Sequence, residues 1–178
     1  MQDSTLCSIL DGCIRDDPAS KYVLGTYFAS GWYTKSDLKK AETLYTALAE
    51  MSPPHWAARG VCYVRGWRWR GDEYGEMTAI ECWIQGKREG NPLCTHELAY
   101  CYMDGEGLQP DLEEAERLFK IASSAGYIPA TFALGLCLEK KAETDAEYKK
   151  VAELYALAAG KGWPLQTSSR HWRRNSQA

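Results

Sequence analysis

The feature that most constrains this chain is a helix–turn–helix pattern that recurs along it. It is clearest from Leu98 to Gly126, LAYCYMDGEGLQPDLEEAERLFKIASSAG. Leu98, Ala99, Cys101 and Tyr102 mix small and large apolar residues as a packed helix face does. Gly105 and Gly107 end that helix, because glycine reaches positive φ without a steric cost. Pro110 and Asp111 open a second helix, with Glu113 and Glu114 in the turn where the macrodipole favours carboxylates. Ala115, Leu118, Phe119 and Ala122 follow at helical spacing, and Gly126 stops the run.

The same template fits the rest of the chain. Ala115 has counterparts at Ala41, Ala79 and Val151, in steps of 38, 36 and 36 residues. Each is followed by a bulky pair: Leu44-Tyr45, Cys82-Trp83, Leu118-Phe119 and Leu154-Tyr155. Eleven positions after each anchor stand Ser52, Gly90, Gly126 and Gly162. The first helices supply a second column, Gly25, Gly60, Ala99 and Gly135, where small residues let two helices approach closely. Two independent columns with nearly one period indicate a solenoid of stacked helical hairpins. The fold class expected is therefore all-α, an α-solenoid of about four antiparallel hairpins with N- and C-terminal capping helices.

Leu24-Gly25 and Leu134-Gly135, the aromatics Phe28, Tyr63 and Tyr102, and the glycines Gly31, Gly66 and Gly105 together resemble the Sel1-like repeat. That repeat is the short-hairpin relative of the tetratricopeptide repeat. Its turn, Gly-x-Gly-hydrophobic followed by an acidic residue, is matched by Gly105 to Asp111. The resemblance runs from about Ala19 to Pro164. The second repeat departs from it with Trp67-Arg68-Trp69-Arg70-Gly71-Asp72, and the fourth with Lys140-Lys141-Ala142-Glu143-Thr144-Asp145. A single domain over 1–178 is expected: a cap at 1–17, repeats near 19–53, 55–91, 92–126 and 127–164, and a cap at 165–178. In the first cap, Ser4 to Arg15 is a predicted helix with Leu6, Leu10 and Ile14 on one stripe.

Composition narrows the function. Of 178 residues, 45% are hydrophobic and 25% charged, an ordinary globular balance. With 21 basic and 24 acidic residues the net charge is −3, which calls for neither nucleic acid nor an anionic membrane. No apolar run has membrane-spanning length, and the N-terminal stretch lacks the basic start and apolar core of a signal peptide, so a cytoplasmic location is expected. Seven cysteines are an odd number with no Cys-x-x-Cys and no histidine at ligand spacing. Cys62, Cys101 and Cys137 each fall two residues after the small first-helix column, as buried thiols acting as small hydrophobes would.

No catalytic set emerges. Glu97 beside His96 lacks the second histidine of a zinc-protease motif, and Gly105-x-Gly107 follows a helix and lacks a Lys-Ser/Thr. Ser168, Ser169 and His171 have no oxyanion donor in view. The expectation is no enzyme, no cofactor and no metal site. The oddest composition is Arg65, Trp67, Arg68, Trp69 and Arg70 within six residues. Two readings stay open: tryptophans that fill a longer turn under snorkelling arginines, or a partner-binding protrusion of hot-spot residue types. Five acidic residues from Asp72 to Glu89 argue against nucleic-acid stacking.

Solenoids of this kind bind proteins through a concave first-helix face and a loop edge. The candidate protein-binding residues are Arg59, Tyr63, Arg65, Trp67, Arg68, Trp69, Arg70 and Tyr100. The resemblance implies an adaptor in signalling or protein quality control, or a bacterial immunity protein against a secreted toxin. A chain of little besides repeats and caps favours the dedicated one-partner binder. The competing class is a hydrolase or other small-molecule protein with a pocket in the concavity. Self-association is left open.

Overall fold

The computed structural model describes residues 3–30, 35–51, 55–65 and 78–163. Among them every regular element is a helix: α1 (Asp3–Ile14), α2 (Pro18–Ser30), α3 (Leu38–Ala49), α4 (Trp56–Arg65), α5 (Ala79–Arg88), α6 (Pro92–Asp104), α7 (Leu112–Ser124), α8 (Ile128–Glu139) and α9 (Asp145–Gly160). The protein is all-α, with helices packed in sequence as hairpins. Two compact units divide it, one ending at Cys82 and the other beginning at Trp83, so the boundary falls inside α5.

In the first unit α1 packs on α2, α2 on α3 and α3 on α4. Its core includes Tyr22, Tyr27, Tyr45, Leu48 and Val61, with Ala41, Ala57 and Ala58 at the close approaches. Of the predicted stripe of the first cap, Leu10 and Ile14 do not pack inward, at 43% and 82% exposed, and the side chain of Leu6 lies outside what the structure describes. Gly12 faces α2, since a Cβ there would run into Ser20. Leu10 and Ile14 stand about 160° from it on either side of the helix and so point away.

In the second unit α6 packs on α7, α7 on α8 and α8 on α9. The turn between α6 and α7 follows the sequence pattern closely. Gly105 has φ 75° at the end of α6, and its N–H donates to the Cys101 carbonyl. The Asp111 carboxylate then accepts from Glu113 N and Glu114 N at 3.0 Å and caps α7. The Asp111 N–H donates to the Tyr102 carbonyl at 2.9 Å, closing the hairpin. The same closure recurs in the first unit, where the Asp37 N–H donates to the Phe28 carbonyl at 2.9 Å.

The glycine column is a column of helix stops. Gly90, Gly126 and Gly162 all have positive φ, at 79°, 86° and 87°. The residue after each closes back onto the helix: Asn91 N to Gly86 O, Tyr127 N to Ala122 O and Trp163 N to Ala158 O. Two members of the small first-helix column, Gly25 and Gly135, are ring seats. A Cβ on Gly135 would lie 2.5 Å from Tyr155 Cε1, and one on Gly25 3.1 Å from Tyr45 Cζ. Cys62, Cys101 and Cys137, two residues on, are buried as the column predicts.

The charged run after α8 is more than a solvated loop. Lys140 Nζ donates to Asp104 at 2.9 Å and to the Met103 carbonyl, and Lys141 Nζ reaches Glu113 and Glu116. These bonds fasten the α8–α9 connection to the ends of α6 and α7. Thr144 and Glu147 then form a reciprocal capping box that starts α9.

Candidate functional site

Helix α4 is built from two kinds of residue. Ala57, Ala58, Gly60, Val61 and Cys62 are buried and let the helix sit close to α3. Trp56, Arg59 and Tyr63 are only half-buried. Their spacing of three and four places all three within about 60° on one side of the helix.

The stripe is fixed in place. The Arg59 guanidinium lies 5.3 Å from the Trp56 ring centre, and its Nε–H donates to the Ala49 carbonyl at 2.9 Å. That carbonyl belongs to the last turn of α3, where carbonyls lack intrahelical partners and attract cations. At the start of α4, His55 Nδ1 accepts from Ala58 N at 3.2 Å, and its ring stacks on Tyr22 at 5.6 Å. Burial pulls the His55 pKa below the ordinary 6.5, which keeps Nδ1 an acceptor. Arg65, at the other end of α4, is half-buried, and burial lowers its pKa from the usual arginine range.

Of the residues singled out in the sequence, Arg59, Tyr63 and Arg65 therefore lie on α4, with Arg59 and Tyr63 on one stripe. Trp67, Arg68, Trp69 and Arg70 lie outside the described residues. Tyr100 does not share this setting: it is 2% exposed in the second unit, with its ring edge-on to Phe119 at 5.1 Å and to His96 at 4.9 Å. The sequence reading missed Trp56, although its spacing of three from Arg59 was available as a signal.

The second unit holds two further clusters of polar side chains. His96 and Glu97 are 6% and 4% exposed, with Nδ1 and Oε1 3.3 Å apart. Tyr100, Phe119 and Tyr127 surround the imidazole edge-on, so the pair belongs to a core cluster. A groove of about 420 Å³ runs along the outer side of α7, lined by Asp111, Glu113, Glu114, Glu116, Arg117 and Lys120. Its carboxylates are engaged: Glu114 with Arg117, Glu116 with Lys120 and Lys141, and Asp111 as a cap. Among the described residues no group of three or more His, Cys, Asp or Glu is placed to hold a metal ion. Among them, too, no helix is long and apolar enough to cross a membrane.

Antiparallel helix pairs joined by glycine-stopped turns, with ring seats at a repeated column, define a helical-hairpin repeat protein. Comparison with known proteins gives the particular repeat. The family model described as the Sel1 repeat matches residues 18–53 and 92–127, the α2–α3 and α6–α7 hairpins. These two hairpins are Sel1 repeats by that match. A Sel1 repeat protein from Oxalobacter formigenes matches over 86% of the chain, with 24% identity and a TM-score of 0.51. A protective antigen present in uropathogenic Escherichia coli strains, displaying an SLR fold, also matches over 86%, with 21% identity and a TM-score of 0.50. The chain spans 62% of the length of the first and 32% of the second. At these identities the likeness bears on the fold. Comparison with curated proteins gives no match.

Proposed function

We propose that this chain is a non-catalytic binding module for one protein partner, docking through the outward side of α4 and the Trp67–Arg70 segment that follows it in sequence. Sel1 repeats generally mediate protein–protein interactions. The observation that carries the reading is the Trp56–Arg59–Tyr63 stripe. Trp, Tyr and Arg are the residue types most enriched in binding hot spots. Here they stand on one helix face, half-accessible, with Arg59 already held against Trp56 and Ala49. Holding side chains in place before docking removes part of the ordering cost of association. A bacterial immunity protein that neutralises a secreted toxin is the version of this function proposed here.

The test is co-purification of the protein with the product of a neighbouring gene, followed by a binding titration and a toxicity rescue. Trp67→Ala with Arg68→Ala is expected to cost about 2 kcal/mol or more, roughly a thirtyfold loss of affinity. Helical circular dichroism and melting temperature should stay nearly unchanged. A large drop in melting temperature with affinity intact would make those residues core fillers. A stable complex without any effect on toxicity would favour an adaptor over an immunity protein.

A further inference from the structure

Among the described residues, α4 starts differently from the other helices. Asp17, Asp37, Thr78, Asn91, Asp111 and Thr144 each offer an oxygen to a backbone N–H in the first turn of α2, α3, α5, α6, α7 and α9. Helix α8 has no side-chain cap. In α4 the cap is a ring nitrogen: His55 Nδ1 accepts from Ala58 N at 3.2 Å. Carboxylate, amide and hydroxyl oxygens accept throughout the range from about pH 5 to 8, whereas an imidazole nitrogen accepts only while the ring is neutral. We infer that His55 is a proton switch for partner docking: neutral, it holds the first turn of α4 closed; protonated, it opens that turn and releases the partner. This rests on the reading of α4 as the docking face.

The capped turn is the one that carries the stripe. Trp56 is the first residue of α4, and the first backbone bond of the helix runs from Arg59 N to the His55 carbonyl at 3.1 Å. The contact between the Arg59 guanidinium and the Trp56 ring therefore depends on that turn. A proton on Nδ1 turns the acceptor into a donor facing the Ala58 N–H, and sets a positive charge where the helix dipole disfavours one. Both effects oppose the start of α4. The ring is seated against Tyr22 of α2 at 5.6 Å, and Tyr22 against Tyr45 of α3 at 5.2 Å. Of the charged groups on the surrounding elements, Arg59 is the cation on α4 and Glu50, at the end of α3, is exposed. Burial lowers the His55 pKa, while a bond to its own backbone and the charge of Asp17, ahead of α2, act the other way. Burial prevails, so the ring is neutral at about pH 7.5 and takes its proton as pH falls through a value below the ordinary 6.5.

The probe is a pool of random twelve-residue peptides, displayed on phage and selected against the whole protein at about pH 7.5. Selected peptides are synthesised and titrated at about pH 7.5 and about pH 5 against the wild type, Trp56→Ala and His55→Asn. Asparagine supplies a cap oxygen that does not titrate. Circular dichroism at both pH values checks that each variant is folded, and NMR follows the Ala58 amide of the wild type through the same range. Peptides that require Trp56 should bind the wild type roughly fivefold more weakly at the lower pH, the effect of one lost cap. For His55→Asn the two affinities should agree within about twofold, and the wild-type Ala58 amide should titrate with the midpoint of the binding loss. An equal loss in wild type and His55→Asn would overturn the switch and leave the docking face in place. An Ala58 amide that ignores the titration would do the same, and it decides the matter even where His55→Asn does not fold. Peptides indifferent to Trp56→Ala would overturn the docking face itself, and this inference with it.

Discussion

Helices α4 and α6 occupy the same place in successive repeats, and they present opposite surfaces. Aligned on Gly60 and Ala99, Trp56 corresponds to Thr95, Arg59 to Leu98 and Tyr63 to Tyr102. In α4 those three positions are half-accessible; in α6 Thr95 and Leu98 are buried, and every residue from Leu93 to Cys101 is buried with them. The alignment also explains Tyr100. It corresponds to Val61, one residue past the small column, and both are 2% exposed. The repeated column therefore fixes which positions meet the partner helix. It leaves the chemistry of the outward stripe to the residues of each repeat, and in α4 these are large, amphipathic and cationic.

Substitution at one column position in both helices should separate the two roles. Leu98→Ala removes a fully packed side chain from α6 and is expected to destabilise the protein by about 2–5 kcal/mol in urea denaturation. Arg59→Ala, at the equivalent position, loses the Ala49 hydrogen bond and the Trp56 ring contact at a half-accessible site, for about 1 kcal/mol. Equal losses at the two positions would break the distinction.

The ring seats give a second, smaller contrast. Tyr155 has little room to swing away from Gly135, because its hydroxyl donates to Glu139 at 2.7 Å and its ring lies 5.0 Å from Phe132. Gly135→Ala is therefore expected to cost about 1–3 kcal/mol through overpacking. At Gly25 the added methyl would meet the Tyr45 ring at 3.1 Å, a contact that a shift of a few tenths of an ångström relieves. The helix preference for alanine, about 1 kcal/mol, offsets that shift, so Gly25→Ala should be nearly neutral. Thermal melts of the two variants, read against the wild type, would show whether the seats differ in this way.

Acid should produce the smallest difference. Because burial depresses the His55 pKa in the first unit, its stabilising contribution is complete above about pH 6.5 and is lost as pH falls through the lower folded value. In the second unit, burial raises the Glu116 pKa, but bonds from Lys120 and Lys141 outweigh it and leave the group below its ordinary 4.5. That contribution is complete above about pH 4.5 and is lost only below it. Between these values, amide exchange should quicken in the first unit before the second. A His55→Gln variant should lose that early change.

Much of the fold was legible because a repeat states each packing rule several times. The Gly90, Gly126 and Gly162 stops, the ring seats and the buried thiols all follow from columns. What the columns could not supply was context. The stripe at Leu10 and Ile14 looked like a core face because periodicity shows that a side is apolar, not which side meets a neighbour. Tyr100 was grouped with Tyr63 on residue type, although its register already matched Val61. The Lys140 and Lys141 bonds join residues 25 to 37 positions apart, beyond the reach of local pattern. Trp56 lies eleven residues before Trp67, and its place on the Arg59–Tyr63 side of α4 follows from helical spacing and not from composition.

The most direct measurement compares the stripe of α4 with its half-accessible counterpart in α6. The protein that co-purifies with the chain is titrated against Trp56→Ala with Tyr63→Ala in α4, and against Tyr102→Ala, the half-accessible counterpart of Tyr63 in α6. If α4 is the docking face, the α4 pair loses about thirtyfold or more in affinity, and Tyr102→Ala stays within about twofold of wild type. A full loss at Tyr102 with the α4 pair unaffected would contradict the account.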